Sequence, residues 1–156
     1  LTIIRRNTKR MANRKQKEEV RLYFAYGSNM NHEHMKMRCP KSTYLRKMTL
    51  PDYELVFRSV ADIQKAPGKK VEGALFEITK DCERALDRYE GFPHLYIKQY
   101  VDNVMFYTMV DKENVYPPGE GYLRTIMTGY GDCEISTESL VDAVNESLTA
   151  LDKEAI

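Results

Sequence analysis

Three short segments carry side chains able to do chemistry. The first is Tyr26-Gly27-Ser28-Asn29. A strand that ends on Gly and then Ser-Asn exposes successive backbone N–H groups, a nest that binds a carboxylate or a developing oxyanion, with hydroxyl and amide side chains as further donors. Taken alone, so short a motif reads as a strand-ending turn. The second is Glu90, at the expected C-terminus of a helix, where the negative end of the helix dipole disfavours a carboxylate, and close to Tyr89 and Phe92. Such surroundings raise a carboxyl pKa toward the range useful for general acid/base work, although a solvated glutamate is the commoner occupant of a helix end. The third is Pro117-Pro118-Gly119-Glu120-Gly121-Tyr122. There a rigid Pro-Pro step followed by Gly presents Tyr122 to a pocket as a hydrogen-bond donor, or simply connects two elements around a buried aromatic.

Other constellations point to chemistry the chain does not complete. His32-Glu33-His34 offers two imidazoles, but side chains two apart on a helix diverge, so a solvated face is expected and no metal site. Ser28 with His94 supplies the nucleophile and base of a serine amidase, without the GxSxG elbow or an orienting acid. Cys39, Cys82 and Cys133 are odd in number, far apart and free of any CxxC spacing, which argues against a disulfide framework or a zinc knuckle and for a reducing, cytoplasmic setting.

The elements that must position these residues follow from hydrophobic runs and breakers. Leu22–Tyr26 is a buried strand ended by Gly27, and a short helix over 30–38, capped by Asn29 or Asn31, stops at Pro40. Thr43–Leu50 and Tyr53–Val60 read as two strands parted by Pro51-Asp52, and Ala66–Lys70 as a polar loop. Val71–Ile78 is a strand, and Thr79 or Asp81 caps a helix to about Tyr89 that Gly91 ends. Tyr96–Val101 and Val104–Val110 form a hairpin around Asp102-Asn103. Tyr122–Tyr130 packs as a helix, and Ser136 or Thr137 caps a last amphipathic one carrying Leu140, Val144 and Leu148. Strands with irregularly interspersed helices indicate an α+β fold.

The size is that of one domain: 156 residues, 42% hydrophobic and 30% charged. The net charge of +1 hides an asymmetry. Residues 1–21 hold eight basic and two acidic side chains, which leaves sixteen basic and twenty-one acidic over 22–156. A basic, flexible N-terminal arm (1–21) is therefore expected ahead of a single acidic catalytic domain (22–156). An acidic body is not built to clamp nucleic acid. No apolar run is long enough to span a membrane, and the N-terminus lacks the apolar stretch of a secretory signal.

Tyr23-Phe24-Ala25-Tyr26-Gly27-Ser28-Asn29-Met30, then Leu86-Asp87-Arg88-Tyr89-Glu90-Gly91 with Tyr96 shortly after, then Pro117-Pro118 with Tyr122, together resemble the γ-glutamylcyclotransferase family and its plant avirulence-induced relatives, over roughly residues 22–150. The resemblance implies a small mixed β-barrel flanked by helices, with the substrate in a cavity at one end. It implies that Tyr23, Phe24, Ala25, Tyr26, Gly27, Ser28 and Asn29 bind the γ-glutamyl moiety, that Glu90 is the catalytic glutamate, and that Tyr96 and Tyr122 contact substrate.

The activity so implied releases 5-oxoproline and a free amine from a γ-glutamyl amide. The substrate brings its own nucleophile, the α-amine, so ring closure calls for positioning and a proton acceptor rather than a metal, cofactor or enzyme nucleophile. Glu90 takes the ammonium proton and returns it to the departing amine, while amides near Gly27 and Ser28 hold the α-carboxylate or the oxyanion. An acidic body favours a cationic leaving amine, such as a polyamine, a lysine-type isopeptide or a γ-glutamyl-protected aminoglycoside. Expected partners are a small γ-glutamyl substrate and, as small members of such a family dimerise, a second copy of the chain; neither nucleic acid nor membrane is expected. The competing expectation is a non-catalytic binding or regulatory module on the same fold.

Overall fold

The computed structural model describes residues 19–154. Most of the expected basic arm, residues 1–18, therefore lies outside the described residues. Its last member, Arg21, belongs instead to the first strand and is paired with Glu83.

That strand, β1 (Arg21–Ala25), lies at the centre of the sheet. Its neighbours are β3 (Val60–Ile78), antiparallel, and β5 (Val104–Met109), parallel; β2 (Thr43–Arg58) flanks β3 and β4 (Tyr96–Val101) flanks β5. A strand covered on both sides and both faces reads as an unbroken apolar run, which is why Tyr23, Phe24 and Ala25 are all buried. β1 and β3 approach so closely that a Cβ at Gly73 would sit 2.3 Å from the Ala25 carbonyl oxygen and 2.6 Å from the Phe24 ring. Glycine is required there. The order β2-β3-β1-β5-β4 leaves β2 and β4 as edges, so the α+β class holds while "barrel" describes the open sheet only loosely.

Two expectations about β2 and β3 are corrected. Pro51-Asp52 does not divide two strands: β2 continues through it, with Asp52 in the left-handed region at φ 62°. The stretch 66–70 is not a free loop but part of β3. The ladder shifts from Pro51↔Lys70 to Tyr53↔Lys65, so residues 66–69 bulge opposite Asp52 alone. Gly68 N–H donates to Asp52 Oδ1 at 3.0 Å, and this bond anchors the bulge. Beyond it the hairpin closes tightly at Ser59, also at positive φ, between Arg58 and Val60.

Helices close over the sheet. A 3-10 turn, Ser28–Met30, follows β1, and Asn31 then caps α1 (His32–Arg38) by accepting from the His34 N–H at 3.1 Å. The helix α2 (Lys80–Glu90) is capped by the Thr79 hydroxyl and stopped by Gly91 at φ 65°. It runs one residue past the expected end, so Glu90 is its last residue. The helix α3 (Glu120–Asp132) crosses the turn after β1; a Cβ at Gly129 would lie 2.6 Å from Asn31 N and 2.7 Å from Met30 atoms. The last helix, α4 (Glu138–Glu154), buries Leu140, Ala143 and Ser147. No helix among the described residues is long and apolar enough to cross a membrane.

Candidate active site

The end of β1, the end of α2, the start of β4 and the start of α3 meet around a cavity of about 170 Å³. Tyr23, Tyr26, Gly27, Ser28 and Asn29 line it from the first side, Glu90 from the second, Tyr96 and Tyr122 from the other two. The three chemically suggestive segments thus face one space. Phe24 and Ala25 do not line it. Strand alternation turns Phe24 away from Tyr23, against Gly73, and both Phe24 and Ala25 are packed in the core.

Hydrogen bonding leaves the wall phenols in different states. Ala61 N–H donates to Tyr122 Oη at 3.0 Å, whereas the Tyr96 hydroxyl donates to Ala61 O at 2.7 Å. Tyr122 therefore keeps its own proton to give, and Tyr96 keeps oxygen lone pairs to receive one. Tyr23 Oη accepts from Asn29 Nδ2 at 3.1 Å, while Tyr26 donates to the Tyr107 carbonyl at 2.6 Å and ties the end of β1 to β5. Burial, reinforced by Glu90, pushes all four phenols well above their ordinary range, so they act as neutral donors and acceptors.

Glu90 is pushed up to about 7, chiefly by its removal from water, with Arg38 opposing the rise. A carboxyl that titrates near neutrality both accepts and returns a proton there. Gly27 keeps this wall of the cavity open: a Cβ there would meet Ala61 Cβ at 3.3 Å and Tyr122 Oη at 3.5 Å. The first amides of the 3-10 turn have no partner within it.

The residues that hold Ala61 in place carried no motif. Next to it, the fully buried Asp62 accepts from Arg58 Nε at 2.9 Å, Met109 N–H at 2.9 Å and Lys112 Nζ at 2.7 Å. Arg58 also donates to the carbonyls of Lys112 and Asn114 and to Gln64 Oε1. This network locks the β2–β3 turn onto β5 and the segment after it. Arg58 and Asp62, opposite charges four apart in an apolar stretch, were a usable signal; Ala61, acting through its backbone, offered none.

The Ser28–His94 and His32–His34 constellations do not assemble. His94 is exposed and outside the lining, and the Ser28 hydroxyl instead meets Tyr89 Oη at 2.9 Å. His32 packs on the Tyr44 ring, centroids 4.3 Å apart. Among the described residues no three His, Cys, Asp or Glu side chains gather as metal ligands. The cysteines are free and buried, and burial raises the Cys39 thiol to about 12.

Comparison with known proteins converges on one group. The family described as gamma-glutamyl cyclotransferase, AIG2-like, matches residues 23–128. A gamma-glutamylcyclotransferase of Bos taurus is 29% identical, covering 74% of this chain and 73% of its own, and one of Homo sapiens is 33% identical over 47% and 46%. A solved gamma-glutamyl cyclotransferase superposes with a TM-score of 0.69 at 26% identity, over 80% of this chain and 86% of the other. An uncharacterised Homo sapiens protein superposes with 0.67 at 26% identity, over 81% and 87%. With more than half of its length matched and its motif residues gathered at one cavity, this chain belongs to the gamma-glutamyl cyclotransferase, AIG2-like family.

Proposed function

We propose that this protein is a γ-glutamyl cyclotransferase whose general acid/base is Glu90. The observation that carries the reading is a carboxyl held near neutrality inside a cavity that also presents the Gly27–Asn29 turn, Tyr96 and Tyr122. The substrate's α-ammonium gives one proton to Glu90, and the freed amine attacks the γ-carbonyl carbon. The carbonyl oxygen takes up charge beside the turn amides and the Tyr122 proton. Glu90 then returns its proton to the amide nitrogen and the C–N bond breaks; the ring nitrogen gives up its second proton, again by way of Glu90, to the departing amine, so that 5-oxoproline leaves as the neutral lactam and the amine as its ammonium. Tyr96, with its proton engaged by Ala61, offers its oxygen to the ammonium. The step is intramolecular, so a cavity that folds the glutamyl chain on itself supplies much of the acceleration.

The leaving amine is proposed to be cationic, as in a polyamine, a lysine-type isopeptide or a γ-glutamyl-protected aminoglycoside, because residues 22–156 carry sixteen basic against twenty-one acidic side chains. The test is incubation with a panel of γ-glutamyl compounds and mass-spectrometric detection of 5-oxoproline. Release by the natural chain supports the reading. Tight binding without release from any member favours the binding module instead.

A further inference from the structure

Glu90 has a cationic neighbour that no motif marked. Arg38, the last residue of α1, has its guanidinium carbon 3.6 Å from the centroid of the Tyr89 ring and donates from Nη1 to Asn29 Oδ1 at 2.8 Å. Each contact leads on to the cavity. Asn29 Nδ2 continues to Tyr23 Oη, and Tyr89 Oη shares a hydrogen bond with Ser28 Oγ. Arg38 thus grips the γ-glutamyl loop on one side and, on the other, the residue immediately before Glu90. A flat guanidinium that stacks on a ring while donating in its own plane is a geometry lysine does not reproduce.

The groups facing Glu90 from the surrounding elements are otherwise uncharged: Tyr23 of β1, Tyr26 beyond it, Tyr96 of β4, Tyr107 of β5 and Tyr122 of α3. Behind them stand two carboxylates that already have cations, Asp62 with Arg58 and Lys112, and Asp87 with Lys98. Arg38 itself forms no ion pair among the described residues.

We propose that Arg38 is a positioning residue of the reaction: stacked on Tyr89 and bonded to Asn29, it keeps the γ-glutamyl loop and the end of α2 in register and sets a fixed positive charge that favours the carboxylate form of Glu90. The inference rests on the proposed cyclotransferase reading. Desolvation alone drives the Glu90 carboxyl upward, and Arg38 is what opposes it.

The test compares R38Q and R38K in the full chain. The Glu90 titration is followed by carbon-13 NMR in the resting protein, and kcat/KM for a γ-glutamyl amide is followed against pH. R38Q is expected to move the Glu90 midpoint and the acid limb of kcat/KM upward by about one pH unit. Activity then falls about ninefold at pH 6 but only about twofold at pH 8. R38K is expected to restore the midpoint, because the charge is kept, but to raise KM several-fold, because the stack and the fork are lost. An unmoved Glu90 midpoint in R38Q overturns the assignment, as does a loss of the same factor at every pH. Should R38Q fail to fold, an unchanged KM in R38K overturns it. A moved midpoint in a protein that forms no 5-oxoproline would count against the cyclotransferase reading alone.

Discussion

Glu90 concentrates the chemistry, and its environment makes two predictions of opposite sign. E90Q keeps the shape of the side chain but cannot accept a proton, so 5-oxoproline release should fall by about a thousandfold or more while substrate binding persists. Stability should move the other way. The carboxyl sits at about 7 in the folded protein, above its ordinary value of 4.5, so the neutral form is favoured by folding. That contribution is present below pH 4.5 and is lost as pH rises through 7. E90Q should therefore be more stable than the natural chain at pH 8, on the order of 2 kcal/mol, and equal to it near pH 4, which thermal denaturation at the two pH values checks. With the base required in its ionised form, kcat/KM should climb toward alkaline pH with a midpoint near 7. Y122F removes a proton donor and leaves the buried Ala61 N–H facing a ring edge; a drop of about tenfold to a hundredfold in kcat/KM is expected, with a loss of about 1–3 kcal/mol that thermal denaturation reads as a lowered Tm. At this scale Glu90, Tyr122 and the Gly27 turn were legible because a helix end, a breaker and a strand end each mark themselves in one dimension. Arg38 and Ala61 were not, since one acts through a ring about fifty places along the chain and the other through its backbone.

Elements bring these residues to one cavity by close approaches that admit no side chain. G129A would drive a Cβ against the backbone of Met30 and Asn31, which must then shift. A loss of about 1–3 kcal/mol is expected. Because the displaced backbone is the turn beside Ser28, KM should rise as Tm falls, and calorimetry with kinetics reads both. Helix boundaries were legible from Thr79, Gly91 and Asn31, whose capping roles depend on local chemistry. The β2–β3 hairpin was misread for a physical reason: Pro51, Asp52 and Gly68 look like breakers singly, but facing each other they form a bulge that lets both strands continue. Pairing between segments is what a one-dimensional pattern omits.

At the scale of the whole molecule, the charge split bears on partners rather than on the bond broken. If the acidic body steers a cationic leaving amine, kcat/KM for a γ-glutamylated polyamine should fall as salt rises from about 50 to 500 mM, while γ-glutamyl-alanine stays nearly constant. Equal, salt-independent values would discard the cationic preference and leave the reaction untouched. The sheet order, with β1 between β3 and β5, was not legible, because a parallel β1–β5 pair joins segments about eighty residues apart. The central claim is that the substrate's own amine breaks the amide inside this cavity. Its most direct test is turnover of γ-glutamyl-alanine in water enriched in oxygen-18, with products read by mass spectrometry. The expected result is unlabelled 5-oxoproline with free alanine; glutamate carrying one oxygen-18 would mean that water is the nucleophile and would contradict the account.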